Sequence, residues 1–216
     1  MKIKAIIFDM DGVLIDSEPL WRKAEIETFA KLGLSFTDEM CMQTMGMRTK
    51  EVIEYWFKIT PWEGKSVKEV EIDLLQRVTQ LIVEEGDAMK GVENALRYFK
   101  NKGLKVALAS SSSSSLIEAV IEKLQIKKYF EVIESAEYLD FGKPHPEIFT
   151  KTAKKLGVHA NECLVIEDSF NGVLAAKSAM MKVVAIPDKE SKNDDRFVIA
   201  DYILNDLNQI KEIKLA

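Results

Sequence analysis

Cysteine is almost missing from this chain: Cys41 and Cys163 stand far apart among 216 residues. One distant pair cannot frame a small disulfide-held fold, and both thiols suit buried positions in a reducing compartment. Long apolar runs are missing too, and no stretch approaches the length of a membrane helix. The start, MKIKAIIFDMDGVLI, resembles a secretion signal in its first residues. Asp9 and Asp11 interrupt it, and no small-residue cleavage site follows. The expectation is a cytoplasmic protein with no membrane partner. Positive charge is not in excess either, since 30 Lys and Arg face 35 Asp and Glu and leave a net charge of −5. That removes any general attraction to nucleic acid or anionic lipid. An anionic substrate then has to be held by local groups or by a metal.

What is present is apolar and periodic. Hydrophobic residues make up 47% of the chain, enough for a sizeable core. Short apolar runs recur at Ile3–Phe8, Leu104–Ala109, Glu131–Glu134, Cys163–Ile166 and Val183–Ile186, with a last short strand at Tyr202–Leu204. Helical patterns separate them at Val92–Asn101, Leu116–Leu124, Pro146–Leu156 and Gly172–Ala179. This alternation predicts an α/β fold, a doubly wound parallel sheet with helices on both faces. One connection breaks the rhythm. About eighty residues without a convincing strand separate the first strand from Val92. They hold amphipathic segments around Trp21–Leu32, Glu39–Thr44, Thr49–Phe57 and Ser66–Glu84. Such a length is a subdomain and not a loop. The expected division is a core of residues 1–16 and 88–216 and a helical cap of residues 17–87.

Ligands of such sheets bind at the carboxyl ends of the strands, and reading only those ends gives a short list. Asp9-Met10-Asp11-Gly12 ends the first strand, Ser110 the second, and Glu167-Asp168 the one beginning at Cys163. Lys143 lies in GKPHP, after the Glu131 strand. Ser110 opens a run of six serines where a strand gives way to a helix. Free backbone N–H groups and hydroxyls there suit an anion, although from this stretch alone one serine as N-cap is the preferred explanation. Four neighbouring carboxylates repel one another, and a hard cation relieves that. Mg²⁺ takes a few carboxylates together with water and phosphate oxygens. One aspartate can then attack phosphorus while a second, two residues on, serves as acid and base. On an extended backbone the two carboxylates of D-x-D project the same way.

In FDMDGVLIDSEPLW, ALASSS, GKPHPEIF and IEDSFNG, in this order, the chain resembles the haloacid dehalogenase superfamily, in its branch with a helical cap after the first strand. The resemblance implies Asp9 as nucleophile and Mg²⁺ ligand. It implies Asp11 as general acid and base, with its backbone carbonyl on the metal. Lys143 bridges nucleophile and phosphate, and Asp168 ligates Mg²⁺ with Glu167 as a direct or water-mediated partner. Ser110 binds the phosphoryl group, Ser111 and Asn171 are second contacts, and the remaining serines cap the helix. The implied reaction is hydrolysis of a phosphate ester through an aspartyl-phosphate.

The alternative is a phosphomutase of the β-phosphoglucomutase type, which shares the cap. Those enzymes carry a histidine where this chain has Trp21, and a cap arginine from which Arg48 is displaced by one place. Hydrolysis is the preferred reading. Receiver-type phospho-acceptor modules use a similar set of groups but have no cap. DSEPLW, PWEG, SAE and NDDRF resemble hexitol-phosphate and 2-deoxyglucose-6-phosphate phosphatases. The expected partner is therefore a small phosphorylated sugar or polyol, acted on by a monomer.

Cap residues are read with their plainer alternatives. Glu18 either binds a sugar hydroxyl or favourably opens the first cap helix. Trp21, Trp56 and Trp62 either stack on a sugar or, as preferred, pack. Arg48 either reaches the phosphate or a hydroxyl, or lies exposed at a helix start. His145 is expected to be structural and His159 inert. Met40, Met42, Met45 and Met47 form an adaptable cap surface.

Overall fold

The computed structural model describes residues 2–189 and 191–215. Six strands form one sheet: β1 (Ala5–Phe8), β2 (Lys105–Ser110), β3 (Val132–Ser135), β4 (Cys163–Glu167), β5 (Lys182–Ala185) and β6 (Tyr202–Ile203). Every neighbour pairs in parallel, in the order β3-β2-β1-β4-β5-β6. The order reverses at β1. The chain moves outward through β2 and β3, then returns to the other flank of β1 as β4. Loops leaving β1 and β4 diverge there and open a crevice at the carboxyl edge.

The strands are apolar on both faces because both faces are covered. Ile6 and Phe8 join Val106, Leu108, Leu164 and Ile166 on one side, under α5 (Val92–Asn101) and α6 (Ser114–Lys123). Ala5 and Ile7 join Ala107, Ala109 and Val165 on the other, under α7 (Glu147–Leu156) and α8 (Phe170–Ser178). The expected α/β architecture, helices on both sides of a parallel sheet, is the one present.

Between β1 and α5 lie four helices and no strand: α1 (Glu18–Ala30), α2 (Asp38–Met42), α3 (Thr49–Ile59) and α4 (Val67–Glu85). The pattern expected from Trp21 begins earlier, at Glu18. Pro19 sits in the first turn, where a missing N–H costs nothing. Ser66 and Glu69 form a capping box that starts α4. Val70, Leu74, Val78 and Leu81 recur on its buried stripe. Phe36 stacks on Phe29 at 3.9 Å and meets the edge of Trp56 at 4.9 Å. Trp62 closes on Phe29 at 5.7 Å. Trp56 and Trp62 therefore pack inside the insert, as preferred from sequence.

The two linkers joining insert and sheet run side by side. Asp16 N–H donates to the Asp87 carbonyl at 2.9 Å, and Met89 N–H donates to the Leu14 carbonyl at 3.1 Å. Ile15 and Ala88 form an antiparallel bridge between those bonds.

Candidate active site

The carboxyl edge of the sheet gathers the residues picked out at the strand ends. Asp9 leaves β1 only 5% exposed. The loop after β3 delivers Lys143, whose Nζ donates to Asp9 Oδ1 at 2.6 Å and to Glu167 Oε1. Burial alone would lower the Lys143 amine, but the Asp9 and Glu167 carboxylates outweigh it and hold the amine above its ordinary range. Burial pushes Asp9 up to about 8, with Lys143 offsetting only part of the effect. Burial also pushes Asp168 well above its usual range, reinforced by the charge of Glu167.

Glu167 has little spare capacity. Its Oε2 accepts the N–H groups of Asp168 and Ser169 and the Ser169 hydroxyl, each at 3.1 Å. Two glycines make this packing possible. A Cβ on Gly172 would overlap the Glu167 carboxylate at 1.8 Å, and one on Gly12 would meet Asp168 Oδ2 at 1.9 Å. Gly12 also has φ +69°, which disfavours a side chain independently of space.

Asp11 faces a second set of donors. Its Oδ1 accepts the Ser17 hydroxyl at 2.6 Å and the Trp21 indole N–H at 2.9 Å. Its Oδ2 accepts the Ser112 hydroxyl at 2.7 Å, with Ser110 more distant at 3.5 Å. Met10, between the two aspartates, is buried in the core. The serine run therefore divides its work. Ser110 and Ser112 face Asp11, Ser113 is the N-cap of α6, and Ser114 and Ser115 are exposed.

The residues present fit a hard cation. One oxygen each of Asp9, Glu167 and Asp168 lie within 4.8 Å of one another. Asp168 Oδ2 is buried with no hydrogen-bond partner. A buried acceptor of that kind is costly unless something satisfies it. Its neighbours are acidic and oxygen-bearing, the donor type that Mg²⁺ selects.

The helical insert roofs this edge and encloses a cavity. Asp9, Asp11, Ser110 and Lys143 form the floor, while Glu18, Trp21, Arg22, Glu25 and residues 41–42 and 44–47 form the roof. The free space is about 60 Å³. Burial pushes Glu18 up to about 8 and Glu25 up to about 7.

Not every expected contact meets the cavity. Arg48 turns away from it: Nη1 donates to the carbonyls of Ala136 at 3.3 Å and Leu139 at 2.7 Å, and Nη2 pairs with Glu51. Asn171 lies outside the lining and donates to the Met45 carbonyl at 3.3 Å. Ser111 lines the cavity, but its hydroxyl donates to the Gly46 carbonyl at 3.1 Å. These three side chains hold insert and core together. His145 accepts the Glu147 N–H at the start of α7, which is a structural place. Met42, Met45 and Met47 line the cavity, while Met40 packs on the core.

Trp21 packs against the core, as preferred from sequence, and its N–H also reaches a candidate catalytic carboxylate. Ser17, Ser112 and Glu25 were missed. Helical spacing from Glu18 would have flagged Glu25, but nothing local marks the two serines.

Doubly wound topology, an aspartate pair after β1 and a buried lysine between carboxylates are features of enzymes that act on phosphoryl groups. The family model described as haloacid dehalogenase-like hydrolase matches residues 6–186. The chain belongs to this family and is an enzyme of its phosphatase branch. It is 40% identical over 210 residues to hexitol phosphatase B of Escherichia coli, covering 97% of this chain and 95% of that one. It is 32% identical over 179 residues to the phosphorylated carbohydrates phosphatase of Thermotoga maritima, covering 82% of each. The crystal structure of β-phosphoglucomutase from Clostridium difficile superposes with a TM-score of 0.83 at 27% identity, covering 97% of this chain and 96% of that one.

Proposed function

We propose that the chain is a Mg²⁺-dependent phosphatase that hydrolyses a small phosphorylated sugar or polyol through a phospho-aspartate on Asp9. The observation that carries the reading is the buried Lys143 amine, shared by Asp9 and Glu167 beside an Asp168 oxygen with no partner. The relatives named for hexitols and phosphorylated carbohydrates support the substrate class.

Asp9 and Asp168 side chains and the Asp11 main-chain carbonyl would hold the Mg²⁺. Glu167 would act through water, because both of its oxygens are engaged. When bound, the ion offsets negative charge on the phosphoryl oxygens. Lys143 lowers Asp9 against its burial and, with the cation in place, favours the carboxylate that attacks phosphorus. The ester P–O bond breaks, and the departing oxygen takes the proton of Asp11. Asp11, then a carboxylate, takes a proton from water. That water attacks the phospho-aspartate, releases phosphate and restores Asp9. Ser110 orients the phosphoryl group, and Ser17, Ser112 and Trp21 fix the Asp11 carboxyl. Residues 17–87 act as a cap that opens about the paired linkers at 14–16 and 87–89. The same reading takes the protein as a cytoplasmic monomer.

The mutase alternative is weaker. An indole N–H donates and cannot take up a proton, so Trp21 cannot stand in for a histidine. Arg48 is committed to core carbonyls.

Phosphate release from sorbitol 6-phosphate, mannitol 6-phosphate, 2-deoxyglucose 6-phosphate and β-glucose 1-phosphate tests the proposal. Release with Mg²⁺ should fall by about 10⁴-fold or more in Asp9→Asn. Conversion of β-glucose 1-phosphate to glucose 6-phosphate with little free phosphate would establish the mutase instead. Binding of Mg²⁺ is read separately, as a rise in melting temperature that Asp168→Asn abolishes.

A further inference from the structure

Glu25 is a buried carboxyl for which neither the chemistry nor the packing accounts. It is 6% exposed, the Cys41 thiol hydrogen-bonds to it, and Oε2 has no partner. Leaving a buried acceptor empty costs free energy. A residue kept only for packing would be apolar here, as its neighbours Leu74 and Val52 are. Glu25 also lines the cavity, so a ligand can supply what the protein does not.

Its place on α1 adds two companions. Glu18, Arg22 and Glu25 follow i, i+4, i+7 spacing, one stripe of a helix, and all three line the cavity opposite Asp9. The stripe is rich in acceptors and poor in cations. The charge of Arg22 acts on Glu18, lowering that carboxyl against its burial. Arg48, the nearby cap arginine, is spent on core carbonyls and Glu51. A second anionic group carried by a substrate would meet carboxyls here with no uncommitted cation to balance it. Hydroxyl groups would instead donate to them.

We propose that Glu25, with Glu18 and Arg22, is the specificity wall of this cavity. It accepts hydroxyls from the uncharged tail of a polyol or sugar phosphate and rejects phosphate esters that carry a second anionic group. The proposal deepens the phosphatase reading and rests on it. The discrimination works in both directions, by satisfying the Glu25 acceptor with one ligand class and by offering the second anion of the other a buried site with no cation to spare for it. Glu25 is a specificity residue and has no part in bond-making.

The test compares sorbitol 6-phosphate with phosphoglycolate, an ester of the same phosphate group with an anionic tail. Wild-type enzyme with Mg²⁺ is expected to favour sorbitol 6-phosphate in kcat/KM. Glu25→Gln is expected to raise KM for sorbitol 6-phosphate and to cut its preference over phosphoglycolate by about tenfold, the effect of one such interaction. Glu25→Leu should do the same or more. A preference that stays within twofold of wild type in both variants overturns the wall while leaving the phosphatase reading intact. A wild-type preference for phosphoglycolate overturns it as well. If no wild-type turnover is seen, the phosphatase reading fails first. Thermal-shift titration of the same two ligands on the Asp9→Asn background, with and without Glu25→Gln, then decides the wall by binding alone. An unchanged ratio of dissociation constants overturns it there too.

Discussion

The floor and the roof of the cavity are built on opposite terms. Among the described residues, five buried side-chain polar atoms have no hydrogen-bond partner. Four belong to the helical insert, on Glu25, Thr28, Arg48 and Trp56, and one, Asp168 Oδ2, belongs to the core. On the floor, Lys143, Asp9 and Glu167 satisfy one another, and Ser17, Trp21 and Ser112 satisfy Asp11. Preorganised groups of this kind can stabilise charge without reorganising during the reaction. The single orphan on the floor lies where a cation fits. Of the four in the insert, only Glu25 lines the cavity; Thr28, Arg48 and Trp56 lie outside its lining. An unpartnered atom on a cavity-lining residue marks where a partner can arrive.

The sharpest way to break this contrast is to remove the centre of the floor. Lys143→Ala would leave Asp9 and Glu167 buried together with no cation between them. Breaking a buried pair by deleting one partner costs about 3–5 kcal/mol, so the urea midpoint measured in EDTA should fall steeply. An unchanged midpoint would mean that the floor is not held by this charge network.

Removing charge from the roof should do the reverse. Glu25 has a folded-state pKa raised from 4.5 to about 7 by burial. The folded protein thus binds more protons than the unfolded chain between those values, and Glu25 destabilises increasingly as pH rises through that window. Glu25→Gln should therefore match wild type near pH 4.5 and gain on the order of 2 kcal/mol by pH 8. Cys41, Glu18 and Arg22 face the same carboxyl, so the comparison is the difference between the two proteins at each pH. A constant difference across the range would sink the assignment. Stability gained at the cost of discrimination between substrates is the pattern expected of a functional residue.

The floor was legible in sequence and the roof was not. Asp9, Asp11, Ser110, Glu167 and Asp168 sit at or just after strand ends, with Lys143 in the loop that follows β3, and a parallel sheet brings strand ends together whatever the details of packing. The apolar runs also announced the six strands and the four-helix interruption. Ser112 looked like one more helix-capping serine, because its contact with Asp11 spans 101 positions. Trp21 packs as an aromatic residue on a helix usually does, and its further contact with Asp11 had no sequence signal. Arg48 was open between a phosphate or hydroxyl contact and an exposed helix start, because the Ala136 and Leu139 carbonyls that hold it are main-chain groups some 90 residues away and carry no sequence signal. Where the sheet dictates position, residue type was enough. Where an insert folds back onto the core, it was not.

Arg48 sharpens the comparison because it joins the two regions, and its expected effect is the smallest. Its Nη1 bridges the Ala136 and Leu139 carbonyls, Nη2 pairs with Glu51, and the loop it grips leads to Lys143. Arg48→Ala removes two hydrogen bonds to carbonyls and the pair with Glu51, each of modest net worth, from a side chain that is 15% exposed. The expected loss is about 1–2 kcal/mol. Lysine should not replace it, because an ammonium lacks the planar fork that reaches carbonyls and carboxylate together. The informative readout is local. Hydrogen exchange at residues 136–143 and 44–48 should quicken in Arg48→Ala, while exchange in β1 and β4 stays as in wild type. If Arg48 instead bound the phosphate, its loss would raise KM for every substrate and leave exchange in the 136–143 loop unchanged. Quickened exchange with a raised kcat would show that release of the cap limits turnover, and that this arginine is one of the contacts holding the roof down.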